Sequence, residues 1–286
     1  MKLIKYLGRD GRETVGILSE RQGIVPLRFE TGHVKSLADL LELDEILPTI
    51  DFLRDDNNAV SLDAVKLLPP IDQQEVWAAG VTYKRSKAAR MEESEAAASC
   101  YDRVYVSPRP ELFLKATPHR VVGHGGAIRI RSDSCWNVPE PELTLVMNSR
   151  MRLVGMTVGN DVSSRDIEGE NPLYLPQAKV YNESCSLGPC ICLIESMPPR
   201  EEIQIRLRVV RGKETVYQGS TAISEMARTF EDLIHWLGRD NSFPCGVMLM
   251  TGTGIVPDRE FTMMSGDHVE IDIDGIGTLR NSVVQG

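Results

Sequence analysis

Trp136-Asn137-Val138-Pro139-Glu140-Pro141-Glu142-Leu143-Thr144-Leu145-Val146-Met147 runs into Asn148-Ser149-Arg150-Met151 and returns through residues 153–158 to Gly159-Asn160-Asp161. In an extended strand, residues two apart face the same side, so Glu140 and Glu142 point together. The Asn-Ser-Arg-Met stretch reads as a turn, and the apolar run after it as a second strand. A hairpin centred near residue 150 sets residue 140 opposite a residue close to 160, which brings Asp161 beside the two glutamates. Three carboxylates that close repel one another in a partly buried site, and a divalent cation removes the repulsion. An all-oxygen donor set favours Mg²⁺, with Mn²⁺ or Ca²⁺ as alternatives, over Zn²⁺. The competing reading makes Glu140 and Glu142 solvent-facing acids paired with Arg131 or Arg165. The flanking prolines and the return to Asp161 weigh against it.

Outward from this hairpin the chain is mainly β from Glu75 onward, punctuated by Gly, Pro and Asn. Residues 203–210 and 268–273 read as strands, 123–126 and 274–277 as turns, and 229–236 as a helix. Before Glu75, residues 2–7, 14–19 and 23–26 read as short strands and 36–52 as a helix with Ser36 as its N-cap. Leu67-Leu68-Pro69-Pro70 interrupts that pattern, because consecutive prolines fix an extended backbone. A domain boundary is expected there, with residues 1–68 as a small N-terminal domain and 69–286 as the catalytic domain. Residues 84–99, polar on most faces, read as a surface helix or a mobile lid.

The 286-residue chain carries a formal net charge of -9, which argues against nucleic acid as a partner. No apolar run approaches a membrane span, and the N-terminus lacks the features of a signal peptide. A cytoplasmic protein with six reduced, mostly buried cysteines is expected; no CxxC pair suggests zinc. His119, His124 and His235 read as structural residues, and Met263 and Met264 as packing.

Several motifs in fixed order then point to a family. Glu140-Pro141-Glu142 is followed by Asn160-Asp161-Val162-Ser163-Ser164-Arg165-Asp166. Ala178-Lys179-Val180-Tyr181 leads to Leu187-Gly188-Pro189. Thr251-Gly252-Thr253 and Gly266-Asp267-His268-Val269-Glu270-Ile271 come after. Over roughly residues 75–286 the chain resembles the fumarylacetoacetate hydrolase superfamily. The resemblance implies a mixed-β (α+β) fold: a β-roll or barrel catalytic domain with a small N-terminal α+β domain. It further implies a Mg²⁺ site, a small-molecule 2-keto acid substrate chelated through its carboxylate and C2 carbonyl, and a homo-oligomer.

One departure narrows the chemistry. Where hydrolytic members carry N-Y-x-x-H-A-x-E, this chain has Thr82-Tyr83-Lys84-Arg85-Ser86-Lys87-Ala88-Ala89, with Ser86 in place of the histidine and Ala89 in place of the glutamate. Serine without a base is a poor general base. The segments Gly80-Val81-Thr82-Tyr83, Arg109-Pro110-Glu111-Leu112-Phe113 and Ile167-Glu168-Gly169-Glu170-Asn171-Pro172 resemble the subgroup of 2-keto-3-deoxy-sugar-acid dehydratases. That likeness implies metal-assisted enolisation and loss of water, carrying a pentonate of the arabinonate type to 2,5-dioxopentanoate. It maps the acid–base residues onto Glu111 and Lys179, without saying which is acid and which is base. Thr82, Tyr83, Arg85, Ser86, Gly252 and Thr253 are the candidates for substrate binding. The alternatives are an acylpyruvate hydrolase or an oxaloacetate decarboxylase of the same superfamily, or a non-catalytic protein that binds 2-keto acids.

Overall fold

The structure is a computed structural model that describes residues 1–286 except 9, 20–21, 30–33 and 84–102. The hairpin forms at the expected place. Strand Pro141–Met147 pairs antiparallel with Leu153–Asp161, with Pro141 opposite Asn160 and Glu142 opposite Gly159. The Asp161 N–H donates to the Glu140 carbonyl at 2.9 Å. At the turn, the Asn148 side-chain oxygen accepts from the N–H groups of Arg150 and Arg152, each at 3.1 Å. Every residue of the two strands except Leu153 is buried. The hairpin therefore lies at the centre of the protein, with both faces covered.

It belongs to a large mixed sheet. In spatial order the strands are Gly23–Pro26, Glu13–Ser19, Lys2–Leu7, Cys185–Leu193, Leu153–Asp161, Pro141–Met147, Val247–Met250, Glu75–Gly80 and Glu111–Ala116. The described strands follow an open path rather than a closed barrel. Strands Val247–Met250 and Glu75–Gly80 run parallel, with Met250 opposite Ala78, and Thr144 lies opposite Met250 on the other side. Gly80 lies opposite Glu111. These registers bring Glu142, the loop after Met250, Gly80 and Glu111 to one end of four adjacent strands.

A second sheet comprises Glu214–Ala222, Gln204–Arg211, His268–Ile273, Gly277–Gln285 and Ala127–Ile130. In Gln204–Arg211 and His268–Ile273, buried positions alternate with more exposed ones. One face meets the core and the other meets water, as the period-two pattern of an antiparallel sheet requires. Leu143, Leu145 and Val158 share a core with Leu207, Val269 and Leu279 of this second sheet. Val146, Val154 and Ile191 instead share a core with Leu37, Leu40 and Ile50 from the N-terminal segment.

The first 68 residues join the large sheet directly: Leu3 lies opposite Ile191. The helix expected over 36–52 is two helices, Leu37–Leu41 and Ile46–Leu53. Ser36 caps the first, its hydroxyl accepting from the Asp39 N–H at 3.1 Å. Pro48 explains the break. A proline inside a helix removes a donor and clashes with the carbonyl four residues earlier, here Asp44, but it is tolerated in the first turn of a helix that starts at Ile46. The helix expected over 229–236 is Phe230–Leu237, capped by Thr229. Among the described residues no helix is long and apolar enough to cross a membrane.

Candidate metal and acid–base site

Glu140, Glu142 and Asp161 offer carboxylate oxygens that all lie within 4.8 Å of one another, and all three residues are buried. The hairpin register supplies the convergence, and the neighbouring elements supply counter-charge. Lys179, the last residue of helix Leu175–Lys179, places its ammonium 2.7 Å from Glu140 Oε2, 3.1 Å from Asp161 Oδ2 and 2.6 Å from Ser163 Oγ. Arg165 reaches Glu140 Oε1 at 2.8 Å. Lys115 lies 2.6 Å from Asp161 Oδ1 and donates to the Val162 carbonyl at 2.9 Å. Glu142 differs from the other two acids, because its Oε2 accepts from the backbone N–H of Gly252 at 2.6 Å instead of from a cationic side chain. Burial pushes the Glu142 carboxyl well above its usual range, and the charges of Asp161 and Glu140 push it further.

The cavity at this end of the sheet is lined by the three acids together with Arg165, Lys179, Gly252, Thr253, Gly80, Phe113, Glu111 and Glu168. Five carboxyl groups line it and three cations (Lys179, Arg165 and, behind Asp161, Lys115) oppose them, so the acids are in excess. A hard divalent cation fits that excess and the all-oxygen donor set. The ion pairs do not exclude such an ion, since each carboxylate oxygen has two lone pairs and can face an ammonium with one and a metal with the other.

Glu111 opens strand Glu111–Ala116. A Cβ at Gly80 would come within 2.0 Å of the Glu111 carboxylate, so the glycine opposite leaves the room this side chain occupies. Gly252 adopts a left-handed φ of +85°, and a Cβ there would meet the Thr82 hydroxyl oxygen at 2.1 Å. Both glycines are fixed by close approach rather than by loop flexibility.

The structure thus brings Glu111, Lys179, Gly252 and Thr253 to the carboxylate triad. It does not bring Thr82 and Tyr83 to the cavity wall. Thr82 is fully buried, and its hydroxyl donates to the Thr251 carbonyl at 2.6 Å, so it braces the Thr251–Thr253 loop from behind. Tyr83 pairs with Met226, and burial, with a further push from Glu142, holds its hydroxyl well above the usual tyrosine range. Arg85, Ser86 and the segment 84–99 lie outside the described residues.

Lys115 was not anticipated from the sequence. The signal was available, because Glu111, Phe113 and Lys115 alternate along one strand and so share a side. Arg165, which the competing surface reading pairs with the glutamates in solvent, is 2% exposed and lines the cavity.

A mixed sheet with convergent carboxylates at one end gives a candidate divalent-cation site built on strands. The chain belongs to the fumarylacetoacetate hydrolase family: the family model described as "Fumarylacetoacetate (FAA) hydrolase C-terminal" matches residues 75–284. It is 39% identical over 290 residues to a 2-dehydro-3-deoxy-D-arabinonate dehydratase of Saccharolobus solfataricus, across 99% of this chain and 96% of that protein. It is 51% identical over 214 residues to a probable 2-keto-3-deoxyxylonate dehydratase of Haloferax volcanii, across 75% of this chain and 73% of that one. A solved structure of 2-keto-3-deoxy-D-arabinonate dehydratase, complexed with magnesium and 2,5-dioxopentanoate, matches with a TM-score of 0.86 and 36% identity, across 100% of this chain and 99% of that one.

Proposed function

We propose that this protein is a Mg²⁺-dependent hydro-lyase that removes water from a 2-keto-3-deoxy pentonate to give 2,5-dioxopentanoate. The observation that carries the reading is the single cavity in which the triad, Lys179 and Glu111 meet. The two dehydratases to which the chain is similar support it. Glu140, Glu142 and Asp161 would hold the cation. When bound, it supplies Lewis acidity to the C2 carbonyl of a chelated keto acid, which lowers the cost of taking a proton from C3.

The remaining work falls to this chain. Lys179 is held between Glu140, Asp161 and Ser163, which suits it to supply fixed positive charge rather than to act as a base. Glu111 takes the C3 proton. Gly252 and Thr253 border the cavity and shape the space for the substrate, while the Gly252 N–H fixes Glu142. Every residue given a role here lies after the boundary at 68/69. Residues 1–68 are accordingly a structural support, and 69–286 the catalytic domain. The same reading carries a cytoplasmic homo-oligomer.

The test is a screen of the purified protein over 2-keto-3-deoxy pentonates and hexonates, acylpyruvates and oxaloacetate, with and without Mg²⁺. The expected product has an unbroken carbon chain and the mass of the substrate less one water, and it forms only with the metal. Cleavage of an acylpyruvate into two acids at a higher rate than any dehydration would overturn the reading.

A further inference from the structure

Two chambers meet at this site. Beside the carboxylate cavity opens a second space, lined by Val104, Pro110, Leu112, Pro172 and Leu175, which is apolar except for Glu111 and Glu168. Among the described residues those two glutamates alone line both chambers. They come from different elements, Glu111 from strand Glu111–Ala116 and Glu168 from helix Arg165–Glu170. A substrate whose keto-acid end lies at the triad and whose far end reaches toward the second chamber passes both of them.

The helix shows why Glu168 is placed there. Arg165 and Glu168 are three residues apart and share a helix face. Arg165 reaches Glu140 on that face, whereas Asp166 turns away to the Ser134 hydroxyl at 2.6 Å and the Cys135 N–H at 2.8 Å. Glu168 is 3% exposed and is not among the three acids that converge as metal ligands. A carboxyl is costly to bury, and here it is buried in a cavity wall.

We propose that Glu168 is a second catalytic residue, which handles protons at C4 and C5 while Glu111 handles them at C3. The inference rests on the dehydratase reading above. The proton balance closes with two carboxyls. Glu111, ionised, takes a proton from C3, and the electron pair of that C–H bond forms the enolate. As the enolate re-forms the carbonyl, the C4–O bond breaks, and Glu168 gives its proton to the departing hydroxyl, which leaves as water. Glu168, now ionised, takes a proton from C5, and the electrons of that bond shift through C4 to C3. Glu111 returns its proton to C3, leaving an enol at C5 that tautomerises to the aldehyde. Both carboxyls end as they began, and the net change is loss of one water.

The experiment uses the full-length protein with Mg²⁺ and two readouts: dehydration of a 2-keto-3-deoxy pentonate, and exchange of the methyl protons of pyruvate in D₂O followed by NMR. Pyruvate has no C4 hydroxyl, so its exchange needs only the C3 base. Glu168→Gln is expected to lower dehydration by about 10²–10⁴-fold while pyruvate exchange stays within a few-fold of wild type. Glu111→Gln should lose both. Glu168→Asp, which keeps the carboxyl, should recover part of the dehydration. Wild-type dehydration by Glu168→Gln overturns the inference alone. Equal loss of dehydration and exchange in Glu168→Gln also overturns it, because that is the mark of a structural role. A wild-type protein that dehydrates nothing overturns the dehydratase reading and this inference with it.

Discussion

Two clusters in this molecule contain the same ingredients, three carboxylates and three cationic side chains, and differ in their access to water. In one, Glu140, Glu142 and Asp161 meet Lys115, Arg165 and Lys179, and none is more than 5% exposed. In the other, Glu270, Asp272 and Asp274 meet Arg206, Arg208 and Arg280 on the outer face of the second sheet, with side chains 22% to 56% exposed. The carboxyls respond in opposite directions. A hydrogen bond from Arg206 holds Asp274 below its usual range, and for Glu270 the partial burial is outweighed by the guanidiniums of Arg208 and Arg280. Glu142 is pushed upward, first by burial and then by its two acidic neighbours. Water solvates each exposed ion, so pairing there is a small correction. Inside the cavity a proton or a further cation would relieve the remaining strain on Glu142, and that difference makes the buried cluster the candidate site and the outer one a solvated face.

The comparison is sharpest in chemistry. Glu111→Gln keeps the shape of the side chain and removes its basic carboxylate, and turnover of the dehydration should fall by about 10²–10⁴-fold. Binding of Mg²⁺ measured by calorimetry should survive, because Glu111 is not one of the three converging ligands. Asp272→Asn on the exposed face should leave turnover unchanged. Comparable losses in both variants would mean that the cavity is not where the reaction occurs.

Stability gives the next largest contrast. Lys115→Met leaves Asp161 buried without its 2.6 Å partner, and breaking a buried pair costs about 3–5 kcal/mol. Arg208→Met on the outer sheet should cost less than about 1 kcal/mol, reduced further by salt. Urea unfolding of the two variants measures both. A Lys115→Met protein as stable as wild type would show that Asp161 does not depend on that ammonium.

The smallest effect is one of pH. Glu270 and Asp274 have lowered folded-state values, so their contribution is fully present above the ordinary carboxylate values of 4.5 and 3.8 and is lost as pH falls through the folded-state values. Arg208 pairs with Glu270, so the small difference in melting temperature between wild type and Arg208→Met should shrink as pH falls below 4.5. A difference that grows on acidification would reverse the sign assigned to these pairs.

The carboxylate hairpin was legible because strand periodicity and one turn suffice to place residue 140 beside 160, and the observed register has Pro141 opposite Asn160. The counter-charges were harder to see. A lysine is usually solvated, so Lys115 gave no signal by residue type. Its burial depends on Asp161, the last residue of a strand not adjacent to its own, and on the carbonyl of Val162 just after that strand. The motif makes Thr82 and Tyr83 candidates for substrate binding, but position along the chain does not say which side of a loop a hydroxyl meets. Thr82 instead faces the Thr251 carbonyl. The split of the 36–52 helix was legible in Pro48, whose effect falls on Asp44 four residues earlier.

The most direct measurement is a crystal structure of the protein loaded with Mn²⁺, located by its anomalous scattering. One ion is expected, with an oxygen of each of Glu140, Glu142 and Asp161 within about 2.0–2.6 Å of it, and the same peak should be lost in Glu142→Gln. An ion held elsewhere, or any two of the three carboxylates turned away from it, would contradict the assignment of this buried cluster as the metal site.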